Sequence, residues 1–410
     1  MAKVESQGLE KKQWTQNFQL IGKAIVNDST YKINERAEKS DWIYNSLNLG
    51  IDCGEKHGIV YADLMGGYGA ERDNKVYVHG RNEDGTDDFK NQFVIAWEDR
   101  TNEKVLAEIG DLCFLTAGLE KTTQDKIFYK PILTPYDFIA YVKENLKNET
   151  VVKVRGQLRY SEYNGNIQCR KEINYIALYD ATPDQYKASF TQTILLTKDS
   201  CDKKSIDVDK ATFLIDGYIL EKFKEYNGYD LTENNTIRGG QFVPLNKRLE
   251  YAIPTAGREK SDIKALGEKI IDTFFKVKKN TVTQLTLSGD FIESGAVVKG
   301  SLDDASEDVK AMVAMGMLSE EELLSQFAGN GNKERRMVAT LVQIETIEKD
   351  DGTKLMQQKR IDEKFSEEDL MPYYMFKNIE ADDSDEDTKE ESLPFEEVSE
   401  DDAAWLKLLM

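Results

Sequence analysis

Lys153, Arg155, Arg159, Arg170 and Lys171 fall in one short stretch that also carries Gln157, Asn166, Gln168 and the rings of Tyr160, Tyr163 and Tyr175. This set suits one kind of chemistry. Cations neutralise phosphates, and each ring offers an unpaired base a stacking face worth roughly 1–3 kcal/mol. An ordinary solvated sheet face with an aromatic edge would use the same residues. A second stretch repeats the theme with Tyr218, Phe223, Tyr226 and Tyr229, then Arg238-Gly239-Gly240, then Lys247 and Arg248. Paired glycines beside an arginine allow a backbone to approach a phosphate closely, and they also suit a plain loop. Gly66-Gly67-Tyr68-Gly69, with Arg72 following, reads as a mobile loop between strands.

Alternation places these residues. Val152, Val154, Gly156 and Leu158 point one way, and Lys153, Arg155, Gln157 and Arg159 the other. That is the period of a half-buried strand. Asn164-Gly165 is a strong hairpin signal. Beyond it, Ile167, Cys169 and Ile173 join the apolar face, and Asn166, Gln168 and Arg170 the polar one.

The pattern apolar–any–apolar–any–Gly–any–apolar recurs four times, around Gly22, Gly156, Gly217 and Gly289. Glycine inside such a strand marks a bend or bulge, a device small barrels need. The second and third copies are each followed by Glu-Tyr-Asn-Gly, at 162–165 and 225–228.

Strands are expected at Phe18–Val26, Trp42–Asp52, Gly58–Leu64, Lys75–Gly80, Phe93–Trp97, Val151–Tyr160 and Gly165–Ala177. A second block adds Thr191–Thr197, Ala211–Leu220, Phe242–Ile253 and Thr281–Val298, and a last hairpin joins Met337–Ile347 to Leu355–Ile361. Helical spacing marks Pro135–Lys147 and Asp262–Lys276, with a helix pair over Ser306–Phe327. The expected class is mainly β with some α, built from small β-barrels with interspersed helices. The divisions are an arm over 1–15, barrel regions over 16–182 and 183–376, and a disordered acidic tail over 377–410.

The net charge of −21 is uneven. Residues 380–410 hold thirteen acids and two bases, so the remaining chain carries only −10. A mildly acidic body can still present one basic face. The tail is too charged to fold alone, yet it carries Leu393-Pro394-Phe395 and a terminal Trp405-Leu406, an arrangement suited to docking a partner.

Enzyme signatures are missing. No GxxxxGK[ST], GxSxG or HExxH occurs, and Gly118 to Thr123 lacks P-loop spacing. Cys53, Cys113, Cys169 and Cys201 form no CxxC, and the histidines are only His57 and His79. No metal centre and no cofactor is expected, and the cysteines read as reduced and mostly buried. No apolar run reaches membrane-spanning length and the N-terminus lacks a signal-peptide core, so a cytoplasmic protein is expected (host cytoplasm if viral).

The Val152–Leu158 strand with its Asn-Gly hairpin resembles the opening of OB-fold modules in single-stranded DNA-binding proteins. The acidic tail around Leu393-Pro394-Phe395 looks like the partner-binding tails of that group, and the whole chain looks like a bacteriophage replication protein. The resemblance implies tandem OB-like barrels and a non-enzymatic protein that binds single-stranded DNA with little sequence preference. Lys153, Arg155, Arg159, Arg170, Lys171, Arg238, Lys247 and Arg248 would line the groove. Tyr160, Tyr163, Tyr218, Phe223 and Tyr226 would stack bases. Leu393, Pro394, Phe395, Trp405 and Leu406 would recruit replication or recombination proteins. In bacterial relatives of that kind Pro-Phe ends the chain, and here it is internal. The alternative is a structural phage protein, in the virion or as a scaffold, using its barrels for protein–protein contacts.

Overall fold

A computed structural model describes residues 13–163, 166–226, 229–230, 241–294, 334–348 and 354–370. In chain order the elements begin with β1 (Gln16–Ile25), β2 (Tyr31–Arg36), β3 (Trp42–Asp52), β4 (Ile59–Gly69), β5 (Lys75–Arg81) and β6 (Asp87–Ala96). Then come α1 (Glu103–Leu106), β7 (Leu115–Lys121), β8 (Ile127–Ile132), α2 (Pro135–Asn145), β9 (Val151–Tyr163), β10 (Asn166–Leu178), β11 (Lys187–Leu196) and β12 (Thr212–Phe223). The rest are β13 (Glu225–Tyr226), β14 (Tyr229–Asp230), β15 (Gln241–Ala252), α3 (Lys260–Phe274), β16 (Val282–Ser294), β17 (Glu334–Val342), β18 (Ile344–Glu348), β19 (Lys354–Gln358) and β20 (Arg360–Phe365). The expected helix pair at 306–327, Arg238 and the tail residues Leu393, Pro394, Phe395, Trp405 and Leu406 lie outside the described residues.

Five strands close a barrel. β1 pairs with β3, β3 with β4, β4 with β10 in parallel, β10 with β9, and β9 again with β1. One strand serves two edges because β1 bends near Gly22: residues before it pair with β9, and Lys23–Ile25 pair with β3. α2 lies between the third and fourth barrel strands in sequence. Thr134 caps it, accepting from the Asp137 N–H at 3.2 Å, and Pro135 opens its first turn. Phe138, Ile139, Tyr141 and Val142 are its buried residues, and they join the barrel core.

The second half repeats the circuit. β11 pairs with β12, β12 with β15, β15 with β17 in parallel, β17 with β16, and β16 with β11. α3 occupies the place of α2, and its Ile263, Gly267, Ile270 and Ile271 are buried. β1 and β11 pair antiparallel and join the two halves into one sheet over one continuous apolar core.

The recurring glycines take different places. Gly156 and Gly289 occupy the fourth strands of their circuits. Opposite each, the fifth strand carries one extra residue: Asn174 in β10, between Ile173 and Tyr175, and Thr340 in β17, between Ala339 and Leu341. Added Cβ atoms would sit 1.8 Å from the Glu172 carbonyl oxygen and 2.1 Å from that of Val338. Gly217 lies on a second strand, so its likeness to Gly156 is local. The expected Gly66–Gly69 loop is instead the end of β4, paired to Trp42–Asn45. Gly67 allows its backbone to pass close to that of Ile43, and Gly66 lies against Pro135.

Candidate nucleic-acid interface

The hairpin β9–β10 turns its basic residues outward, as its alternation requires. Val152, Val154 and Leu158 are fully buried. Arg155 stacks over the Tyr175 ring with its guanidinium 5.0 Å from the centroid, and donates to Gln19 Oε1 at 3.2 Å. Lys153 Nζ stands 3.8 Å over the Tyr179 ring. Tyr175 in turn stacks on Tyr129 of β8 at 6.3 Å. Tyr129 and Tyr179 are 50% and 38% exposed, so rings and cations share one open face. Burial, followed by the Tyr129 hydroxyl, pushes the Tyr175 phenol up to about 12. Lys187 stands opposite Ile21, whose other neighbour is Lys153. Among the described residues, Lys153, Arg155 and Lys187 have no carboxylate partner.

Three of the other expected cations are paired with carboxylates. Arg159 reaches Glu172 at 3.4 Å and Glu221 at 3.8 Å. Arg170 grips Asp63 with a forked pair at 3.2 and 2.8 Å, and Arg248 grips Asp216 at 2.6 and 3.0 Å. A cation already paired with a carboxylate gains less from a phosphate, since the first pair must break. Lys171 stands opposite Leu158, and its Nζ lies 4.5 Å from the Phe291 ring. Lys247 stands opposite Gly217 in the second circuit, and its charge acts on the Cys169 thiol.

One member of the expected stacking set, Tyr160, is corrected. Tyr160 is 4% exposed and donates its hydroxyl to Gln192 Oε1 at 2.9 Å. It shares parity with Val154 and Leu158, so it enters the core and offers no face to a base. Tyr218 packs against the cluster of Leu195, Leu220, Val282 and Leu370. Phe223 and Tyr226 lie 5.3 Å apart against the main core, and Tyr226 donates to Glu162 at 2.7 Å. Tyr163 ends β9, and its side chain lies outside the described residues. Tyr129 and Tyr179 escaped the sequence reading. For Tyr129 the available signal was the apolar run Ile127-Phe128-Tyr129 after the turn at Asp125, whose φ of 61° marks a tight reversal.

The two halves differ at this face. The positions of Lys153, Arg155 and Gln157 in β9 correspond, through the shared glycine, to Thr286, Ser288 and Asp290 in β16. Tyr175 corresponds to Leu341. Of these two sets of equivalent positions, that of the first circuit carries the cation–ring pairs.

A separate cleft of about 440 Å³ opens beside β4, lined by Trp42, Met65, Tyr77, Trp97 and Tyr136 among others. Tyr68, Trp97 and Tyr136 pack at 5.2–5.8 Å, and Arg100 lies 4.3 Å over Trp97 while bound to Asp137 at 2.9 Å. Among the described residues no group of three or more His, Cys, Asp or Glu could hold a metal, and no helix is long and apolar enough to cross a membrane. No protein-family model matches the chain, and no curated protein matches its sequence.

Proposed function

We propose that this protein binds single-stranded DNA without catalysis, through the outward face of β9 and β10. The observation that carries the reading is the pairing of Lys153 and Arg155, which hold no carboxylate among the described residues, with the rings of Tyr179 and Tyr175. Such a face meets both needs of an unpaired strand, phosphate charge and base stacking. The strand order adds support. Each circuit runs first, second, third, fifth, fourth and back to the first, with a helix between its third and fourth strands. That is the arrangement of an OB-type module, a fold that binds oligonucleotides. In this reading both circuits are OB-type modules, the first binds DNA, and the acidic tail recruits replication or recombination proteins in the cytoplasm.

A structural role through protein contacts is the second reading. It draws on exposed Leu341, Ile344 and Met356 at the far end of the chain. Fluorescence anisotropy with a labelled oligo-dT, at low and high salt, separates the two. The DNA reading expects tight binding that weakens steeply as salt rises. No binding at micromolar protein in low salt overturns it and favours the structural role.

A further inference from the structure

The cation–ring face of the first circuit does not end at β9. β9 pairs with β1 and β1 with β11, so one uninterrupted sheet runs from the first circuit into the second. Residues directly opposite one another in antiparallel strands share a face. Register therefore sets Tyr175, Arg155, Gln19 and Ser189 in one row across β10, β9, β1 and β11. Beside it runs a second row of Lys153, Ile21 and Lys187. Lys187 is exposed and stands two strand spacings from Lys153, roughly 10 Å.

Charge decides which way a bound strand can run over this face. Along β9 the outward residues lead to Arg159, which holds Glu172 and Glu221, and then into the neighbourhood of Arg170, which is held by Asp63. That direction is lined with carboxylates, which repel phosphates. Across the strands the next side chains are neutral. Gln19 accepts from Arg155 through Oε1, and its Nε2 has no partner among the described residues. Ser189 donates to the Gln19 carbonyl at 3.4 Å. The first carboxylate met in this direction is Asp290 of β16, opposite Ser189, and it is already paired with Lys56. At the other end of the row Tyr129, half exposed, stacks on Tyr175.

We propose that the bound single strand lies across the sheet and not along it, passing from Tyr129 over Tyr175, Arg155 and Gln19 to β11, where Lys187 of the second circuit takes a phosphate. This path rests on the DNA reading above and deepens it. Tyr129 and Tyr175 stack bases, Lys153 and Arg155 hold phosphates, and the Gln19 amide offers a donor where the strand crosses the seam. The second circuit thereby contributes to binding through its first strand, although its own equivalent face carries Thr286 and Ser288 in place of cations.

The test measures oligo-dT affinity of the full chain by anisotropy across a salt series. The variants are Lys187→Ala, Tyr129→Ala and, as a control, Lys264→Ala, which removes an exposed lysine of α3. Lys187→Ala should weaken binding about three-fold or more and lower the log–log salt slope by about 0.7, the value for one phosphate contact on a single strand. Tyr129→Ala should lose at least about five-fold, as expected for one stacked base. Lys264→Ala should keep the wild-type slope. If Lys187→Ala matches Lys264→Ala while Lys153→Ala/Arg155→Ala still loses affinity, the crossing is overturned and the β9–β10 face stands. Unchanged affinity in Tyr129→Ala also overturns the path, and should that variant fail to fold, the exposed Lys187 decides. A wild-type chain that binds no oligo-dT at micromolar protein and low salt overturns the DNA reading itself, and the path with it.

Discussion

Phe18 and Phe190 face each other across the seam between β1 and β11, and each also stands opposite a glycine, Gly156 and Gly289 respectively. The row Gly156–Phe18–Phe190–Gly289 is symmetric about its centre. Both phenylalanines are buried, and both fourth-strand glycines face a fifth strand with one extra residue. The two circuits thus share more than strand order, since they bend at equivalent points and join at equivalent points. What differs is the outer surface, where Lys153 and Arg155 are replaced by Thr286 and Ser288.

This seam predicts a stability cost. Gly156→Ala should destabilise by about 1–3 kcal/mol or more, because the new methyl meets the Glu172 backbone and not a side chain that can swing away. Phe18→Ala should cost about 3–5 kcal/mol by leaving a cavity under both halves. Urea denaturation of each variant gives the values. A loss under about 1 kcal/mol for Gly156→Ala would show that β9 and β10 can part there.

Glu221 is a second tie between the halves. It is 6% exposed and accepts from Gln16 Nε2 at 2.9 Å and from the Tyr160 N–H at 3.2 Å. Glu221→Ala strips the Tyr160 N–H of its acceptor in the interior and removes one contact of Gln16 Nε2, which keeps the Leu158 carbonyl, so a loss of roughly 1–3 kcal/mol is expected. Glu221→Gln keeps an acceptor and should cost less than half of that in the same denaturation experiment.

Tyr175 and Tyr160 should behave oppositely. Tyr175→Ala should weaken oligo-dT binding by about 1–3 kcal/mol with little change in stability, and Tyr175→Phe should retain most of the affinity, because stacking needs the ring. Tyr160→Ala should lower stability by about 3–5 kcal/mol. Any binding it loses should be recovered at temperatures where the variant stays folded. Paired melting curves and titrations separate the two effects.

Alkaline pH should unfold the protein early. Cys201 ionises near 9.0 when exposed and near 12 in the folded state, because burial disfavours the thiolate. Its folded value is raised, so the unfolded state loses the proton first. Stability is therefore fully present below about pH 9 and falls as pH rises through the window up to about 12, by up to about 1.4 kcal/mol per unit. Buried Tyr160, also raised, acts in the same direction. Cys201→Ala should flatten the fall of the urea midpoint between about pH 9 and 10.5, and an unchanged slope would count against this assignment.

Much of the framework was legible in the chain. The alternation at Val152–Leu158 gave the correct face for Lys153 and Arg155, and the spacing of Phe138, Ile139 and Val142 gave α2. Tyr160 was expected to stack bases near the hairpin's edge, yet it shares the parity of Val154 and Leu158 and lies inside. Long-range pairs were not legible. Nothing local links Arg170 to Asp63 or Arg159 to Glu221, because β4 and β12 come alongside only when the strands assemble. Gly66–Gly69 read as a loop because glycine signals flexibility in sequence, whereas here it lets two backbones approach. The β7–β8 pair, and with it Tyr129, was obscured by its short strands and the irregular register between Ala117 and Glu120.

The most direct test of the central claim compares two triple variants by oligo-dT anisotropy across a salt series. One is Lys153→Ala/Arg155→Ala/Tyr175→Ala, and the other is Arg159→Ala/Arg170→Ala/Arg248→Ala. The first should lose more than ten-fold in affinity, and its log–log salt slope should fall by about 1.4, the value for two lost phosphate contacts on a single strand. The second should stay within about two-fold of wild type, since its arginines already hold carboxylates. Equal losses in both, or a loss confined to the second, would contradict the assignment of the DNA face to β9 and β10.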